Sequence, residues 1–334
     1  MKAVIIGSSG HYGYALPSIT ARGITVPGIA VTEGEDIDRL KSALAGRGIE
    51  TAEYPADEIF DAVAPDVAVI NTIFSRSCDY ACAALERGIS VFLEKPAATE
   101  FAGLDRLISA WKRAKDEYSG IRLGGMFGIR YEAPFVTAER LVREGRIGRI
   151  ILVNGQKSYK MGTRPPFYSD RALYGGLIPW VSIHAIDWIS HLTGSRVADV
   201  SALHSRAANR GNGTMESAAV MRFSLEDGAI ATVTTDMLRP ENSPTHGDDR
   251  LRLMGDGGWL EVTGGKAFLN GNEVPLDPPR DIFADLLDGT DEEAEANRRL
   301  SARNLFESTR AALCARESAD RDGEPVNVIY DSKG

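Results

Sequence analysis

Three short stretches of this 334-residue chain combine residue types and spacings that could do chemistry. They are Gly7-Ser8-Ser9-Gly10-His11-Tyr12-Gly13, Glu94-Lys95-Pro96, and Ile183-His184-Ala185-Ile186-Asp187. In the first, glycines let the backbone turn sharply and approach a pyrophosphate, whose charge is then met by N–H groups at a helix N-terminus. The usual spacing of glycines at relative positions one, three and six is met by Ser8, Gly10 and Gly13 if serine stands for the first; a plain strand-to-helix turn is the alternative. An acid about 20 residues past such a loop often holds the ribose hydroxyls of an adenine dinucleotide, and Glu33 stands at that distance, unless it is only part of a solvated acidic turn. No basic residue lies between Glu33 and Arg39 to receive a 2′-phosphate, which favours NAD and leaves NADP open.

Lysine is scarce here, nine of 38 basic residues, so Lys95 draws notice. It follows a Val- and Phe-containing run ending at Leu93, and parallel sheets bind ligands beyond the carboxyl ends of their strands. A lysine there can donate a proton or act as a cation that lowers a hydroxyl's pKa; otherwise it is a surface lysine in a turn. His184, on an apolar helix pattern, reads when taken alone as a core residue.

The elements needed to hold these groups are legible. Apolar runs at Ala3 to Ile6, Gly28 to Thr32, Val67 to Asn71 and Ser90 to Leu93 read as strands buried on both faces. Helical patterns at Asp36 to Ala45, Asp57 to Val63, Ser77 to Arg87 and from Thr99 to about Tyr118 alternate with them, and Pro17 implies that the first helix is short or restarts. This grammar predicts a doubly wound parallel α/β sheet over residues 1–120. Beyond it come a strand at Ile121 to Phe127, a helix at Pro134 to Glu144, a strand from Ile147 to Tyr159, a loop from Met161 to Tyr174 and an apolar helix from Gly176 to Leu192. Closely spaced strands from Val200 to Thr263 and helices at Asp281 to Leu287 and Asp291 to Glu317 complete an α+β domain, residues 121–334, with a large, mostly antiparallel sheet.

Composition narrows the function. A net charge of −9 without a basic run speaks against nucleic acid. The most apolar stretch, Leu177 to Leu192, contains His184, Asp187 and His191, which rules it out as a membrane span. Three cysteines without a repeated spacing support neither a disulfide framework nor a metal site; Cys78 and Cys82, four apart on a helix, read as small core or interface residues. The N-terminal apolar run is too short for a signal-peptide core, so the expected location is the cytoplasm.

The stretches Val67 to Phe74 and Gly88 to Pro96 together resemble the glucose-fructose oxidoreductase / inositol dehydrogenase (Gfo/Idh/MocA) family. The resemblance continues through Arg130 to Pro134, Gly145 to Gly148, Gly175-Gly176 followed by Ile183 to Asp187, and Ala315 to Ala319. It implies a nicotinamide-dependent oxidoreductase acting on sugars, inositols or related polyhydroxy compounds, with Lys95 and His184 as catalytic residues. His184 would take a hydroxyl proton as hydride leaves the same carbon for nicotinamide, and Lys95 would polarise the oxygen; a histidine pKa of ~6.5 suits the first task. The cofactor would contact Gly7, Ser8, Ser9, Gly10, His11, Tyr12, Glu33, Thr72, Ile73, Phe74, Glu94 and Lys95. Family members are typically dimers or tetramers, which implies a homodimer or homotetramer here.

Three departures from the family pattern stand out. The aspartate that many relatives carry four residues before the histidine is Trp180 here, Ser77 stands where relatives often have histidine, and the first loop glycine is altered. Asp187 could orient the imidazole or anchor its helix. Trp180 could stack on a sugar ring or pack in the core. In the loop, Arg164 or Arg171 could bind a substrate carboxylate or remain solvated, and Arg130, Tyr168, Trp180, Asp187 and Arg164 form the candidate substrate-binding set. Two other readings stay open: an NAD-using glycosidase-type enzyme with transient oxidation, and a catalytically inactive nucleotide-sensing regulator.

Overall fold

The computed structural model describes residues 1–289 and 300–330. Its first sheet grows from strands whose side chains are buried on both faces, Ala3 to Ile6 being fully buried. The strands are β1 (Lys2–Ile6), β2 (Thr25–Ala30), β3 (Ala52–Glu53), β4 (Val67–Ile70), β5 (Ser90–Leu93) and β6 (Leu123–Gly125), in the order β3-β2-β1-β4-β5-β6 and parallel throughout. The strand expected to open the second domain is thus the last strand of this sheet, hydrogen-bonded to β5. Its helices are α1 (Leu16–Ala21), α2 (Ile37–Ala45), α3 (Ile59–Val63), α4 (Phe74–Leu85) and α5 (Phe101–Glu117). Pro17 lies in the first turn of α1, where its missing N–H costs nothing, and a separate 3-10 turn at Tyr12–Tyr14 precedes it. Asp36 caps α2 by accepting from the N–H groups of Asp38 and Arg39.

The polypeptide then changes to α6 (Ala133–Arg143), β7 (Ile150–Lys160), α7 (Arg171–Tyr174), a π-helical turn at Ile178–Ser182, and α8 (Ile183–Thr193). Next come β8 (Val197–Ser205), β9 (Ala218–Leu225), β10 (Ile230–Arg239), β11 (Gly247–Gly255), β12 (Trp259–Thr263), β13 (Lys266–Leu269), β14 (Asn272–Val274), α9 (Ile282–Asp288), α10 (Ala302–Asp320) and β15 (Val326–Asn327). The nine-stranded sheet runs β14-β13-β12-β11-β7-β10-β9-β8-β15. Neighbours pair antiparallel except β7 and β10, which are parallel. Alternation puts Val153, Gly155 and Lys157 of β7 on the buried face, and Gly155 gives Ala185 of α8 room to approach. Of the helix expected over Asp291 to Glu317, residues 291–299 lie outside the described residues.

The chain forms two compact units. The first gathers Met1–Met126, Ala172–Gly175 and Asp281–Phe306; the second gathers Phe127–Arg171, Gly176–Arg280 and the chain from Glu307 onward. The first unit is therefore assembled from three separate pieces of sequence. In it α9 covers the parallel sheet: Phe283 packs on Phe92 of β5 with ring centroids 5.2 Å apart, and Leu286 and Leu300 lie against Gly124 of β6. Asp281 caps α9 and accepts a 2.8 Å hydrogen bond from Ser18 of α1.

Candidate active site

Within the first unit the glycine-rich loop leaves β1 at Gly7, whose φ is +88°. A Cβ there would overlap the backbone of Asn71 and Thr72 where β4 ends, so no other residue fits without displacing a neighbouring strand. Gly10 is required for a different reason: a side chain would overlap the Glu94 carboxylate. Gly13 has open space around it. The steric demand thus falls on Gly7 and Gly10, and not on the spacing through Ser8, Gly10 and Gly13.

Two carboxylates meet this loop. Glu94, completely buried, accepts from the His11 N–H at 2.6 Å and lies 2.8 Å from His11 Nδ1; its other oxygen faces the Lys95 N–H at 3.2 Å and Nζ at 3.3 Å. Burial works to raise the Glu94 pKa, but the hydrogen bonds and electrostatic influence of His11 and the charge of Lys95 outweigh it and hold the carboxyl at about 2. For Lys95 the balance is reversed, since burial pulls the ammonium below its ordinary range against the raising influence of Glu94. The sequence thus places Lys95 at the carboxyl end of β5, and the structure buries it to 1% exposure beside its neighbouring acid.

The second carboxylate is Glu35, which the spacing rule missed. It accepts from the N–H groups of Ser8 and Ser9 at 3.0 and 3.1 Å and from Ser9 Oγ at 2.6 Å, while its other oxygen receives the N–H and hydroxyl of Thr32. Glu33, two residues earlier, is exposed, and its carbonyl receives Arg76 Nη1. Both acids stand in one acidic turn after β2, and only the turn's conformation decides which carboxylate points at the loop.

Thr72, Ile73 and Phe74 form the buried turn from β4 into α4. There the Thr72 hydroxyl lies 2.9 Å from that of Ser77, so the serine at the relatives' histidine position serves the turn. Asn71, fully buried at the end of β4, has no partner for either atom of its side-chain amide. A buried amide of that kind beside a glycine turn suits a polar ligand that brings its own donors and acceptors. The loop, Glu35 and Asn71 together fit a dinucleotide.

In the second unit, His184 is the second residue of α8, directly after the π-helical turn, 4% exposed and edge-on to Phe127 with centroids 6.2 Å apart. Asp187, one turn on and fully buried, accepts from Arg130 Nη1 at 2.9 Å. The Arg130 guanidinium lies over the Phe127 and Tyr131 rings. Arg130 and Asp187, both read as substrate contacts, are therefore joined to each other as a buried ion pair. Tyr168 and Trp180 are likewise brought together, with centroids 4.4 Å apart, and the Arg164 guanidinium lies 5.8 and 5.1 Å from their ring centres. Arg171 turns elsewhere, to Asp320 at 2.7 and 2.8 Å and Glu216 at 3.3 Å. A buried group absent from the sequence reading is Lys157 of β7, which donates to Asp249 at 2.6 Å and to the Tyr159 hydroxyl at 2.7 Å. Its position on the buried face of an alternating strand is the signal that could have found it.

Among the described residues no group of three or more His, Cys, Asp or Glu side chains could hold a metal ion, and no helix is long and apolar enough to cross a membrane. Residues 1–119 match the profile described as an oxidoreductase family with an NAD-binding Rossmann fold, and residues 135–261 match that of the GFO/IDH/MocA C-terminal domain. A Thermotoga maritima structure described as a candidate oxidoreductase is 41% identical, with a TM-score of 0.91 over 98% of this chain and 100% of that one. Inositol 2-dehydrogenase of Salmonella typhimurium is 30% identical over 166 residues, 49% of this chain and 46% of that protein. The chain spans about half the length of the curated relatives it matches first. The WlbA dehydrogenase of Bordetella pertussis, solved with NADH and UDP-GlcNAcA, shares the fold at 20% identity, with a TM-score of 0.74 over 99% of each chain.

Proposed function

We propose, from the premise that this chain belongs to the Gfo/Idh/MocA family of NAD-binding oxidoreductases, that it is a dehydrogenase or reductase for the CH–OH group of a sugar, inositol or related polyhydroxy compound. The observation that carries the reading is Lys95, a buried ammonium at the carboxyl end of a parallel strand, tied through Glu94 to the glycine loop at His11. Bound nicotinamide supplies the acceptor or donor of a hydride. The chain's residues supply the rest. Lys95 polarises the substrate oxygen, and His184 takes its proton in the oxidising direction and returns it in reduction. The Arg130–Asp187 ion pair fixes the helix face next to His184.

The loop from Gly7 to Tyr12, the turn Thr72 to Phe74, Asn71 and Glu94 hold the cofactor, with Glu35 in the place first given to Glu33. An acid facing the loop favours the free ribose hydroxyls of NAD over the phosphate of NADP. The first unit, built from Met1–Met126, Ala172–Gly175 and Asp281–Phe306, serves the cofactor; the second serves the substrate and self-association, in the reducing conditions of the cytoplasm where the chain's cysteines stay free. Incubating the protein with either cofactor and a panel of polyols, sugars and sugar acids, and following nicotinamide absorbance, tests the reading. Formation of NADH with a polyhydroxy substrate is expected, and no nicotinamide binding by calorimetry would overturn it.

A further inference from the structure

Arginines with much of their surface buried almost always face a carboxylate, because a guanidinium taken out of water needs a charged or hydrogen-bonding partner. Arg130 meets Asp187 and Arg171 meets Asp320 and Glu216 in this way. Arg164 does not. Its guanidinium lies over the rings of Tyr168 and Trp180, and burial pulls its pKa down. Among the described residues no carboxylate lies within ion-pair distance of it. Its Nε is buried without a partner, and Nη2 donates only to the Lys160 carbonyl at 3.0 Å.

The surroundings deepen the positive excess. Lys160 gives its ammonium to the Ser243 carbonyl at 2.6 Å, and among the described residues no carboxylate lies within ion-pair distance of it either. Arg164 and Lys160 both act on His246, whose pKa is lowered by burial first and then by these two cations. The acid whose charge reaches both cations, Glu241, stands exposed and accepts from the Gly162 N–H and from Arg210 through one oxygen. Trp180, the floor of the stack, stands in the same helical stretch as His184, four residues before it. Stacking on two rings holds the guanidinium plane in one orientation, which suits the two-point recognition of an anionic oxygen group.

We infer that the polyhydroxy substrate carries an anionic oxygen group, a carboxylate or a phosphate, which Arg164 receives while Tyr168 and Trp180 hold its guanidinium in place. The inference rests on the dehydrogenase reading for the rest of the substrate, and it assigns Trp180, at the position where relatives often have aspartate, to substrate selection.

Calorimetric titration of the protein, with and without NADH, tests this with gluconate, galactonate, glucuronate, galacturonate and glucose 6-phosphate against the neutral glucose, galactose and myo-inositol. At least one anion should bind about tenfold or more tightly than its neutral parent, as expected for a charge-assisted contact, and should weaken as salt is added. The acid and phosphate arms identify which group is read. In Arg164→Met the preference should fall about tenfold, and Arg164→Lys should retain part of it; melting temperature and NADH affinity serve as the folding control. Neutral parents binding as tightly as every anion, or a preference that survives in Arg164→Met with the fold intact, overturns the inference. NADH formation from neutral polyols without any anion preference would leave the dehydrogenase reading standing, whereas anion binding through Arg164 with no redox turnover would do the reverse.

Discussion

Lys95 and His184 differ in what their surroundings ask of them. Lys95 is held by burial on one side and by Glu94 on the other, and a group poised between those influences changes protonation more readily than a solvated lysine does. Replacing either Lys95 or His184 by alanine is expected to lower turnover about 100-fold while largely sparing cofactor affinity, as for loss of a general acid-base group. Steady-state rates and NADH titration of both variants check this, and full rates in both would remove the assigned roles. Glu94 raises the Lys95 pKa, so Glu94→Gln removes that support and lets burial lower it further. The alkaline limb of the pH profile of kcat/KM, where the ammonium is lost, should move to lower pH in that variant. A limb that stays in place would mean that Lys95 does not carry the titration.

At the scale of elements, the strands around the site were readable because their residues are apolar and buried on both faces, and the strand from Ser90 to Leu93 has the bounds its pattern predicts. What escaped reading depends on conformation more than composition. Nothing in the run from Gly176 to Leu192 distinguishes a π-helical turn from an α-helix, yet the turn at Ile178–Ser182 immediately precedes His184. Alternation looks alike in parallel and antiparallel strands, which hid the parallel pairing of β7 with β10. Glu35 was passed over because counting residues cannot tell which acid of a turn faces inward. The loop itself makes a sharp prediction. Gly7→Ala would need both a left-handed backbone and overlap with the end of β4, at a cost of at least ~2 kcal/mol. Urea unfolding should show that loss, together with weakened NADH binding; wild-type stability in the variant would contradict the assignment of the turn.

For the molecule as a whole, the nine-stranded sheet keeps one face that the chain's own helices leave partly uncovered. Leu203 of β8 and Val220 of β9 stand opposite each other and are 52% and 51% exposed, and Ile230 of β10 is 54% exposed. Apolar side chains in adjacent strands on an outward face suit pairing with a second copy about a two-fold axis, the simplest closed arrangement. Light scattering should find a dimer or tetramer, and Leu203→Asp with Val220→Asp should shift it to monomer with the melting profile of the individual chain retained. A monomeric wild-type protein would dismiss the self-association reading. Of the motifs that carry the Gfo/Idh/MocA resemblance, those at Val67 to Phe74, Gly88 to Pro96 and Gly145 to Gly148 run through strand ends and turns, where backbone geometry restricts residue choice, whereas Ile183 to Asp187 and Ala315 to Ala319 lie within helices.

The first unit's three-piece construction has a consequence for how the protein is made. Its parallel sheet is spelled out by residue 125, but Phe283, Leu286 and Leu300, which cover β5 and β6, are encoded much later. At ~5–20 residues per second, roughly ten to thirty seconds of synthesis separate the sheet from its cover. During that interval the ribosome carries a cofactor-binding half whose apolar face has yet to receive its own closing helix, and a chain released early would lack that closure.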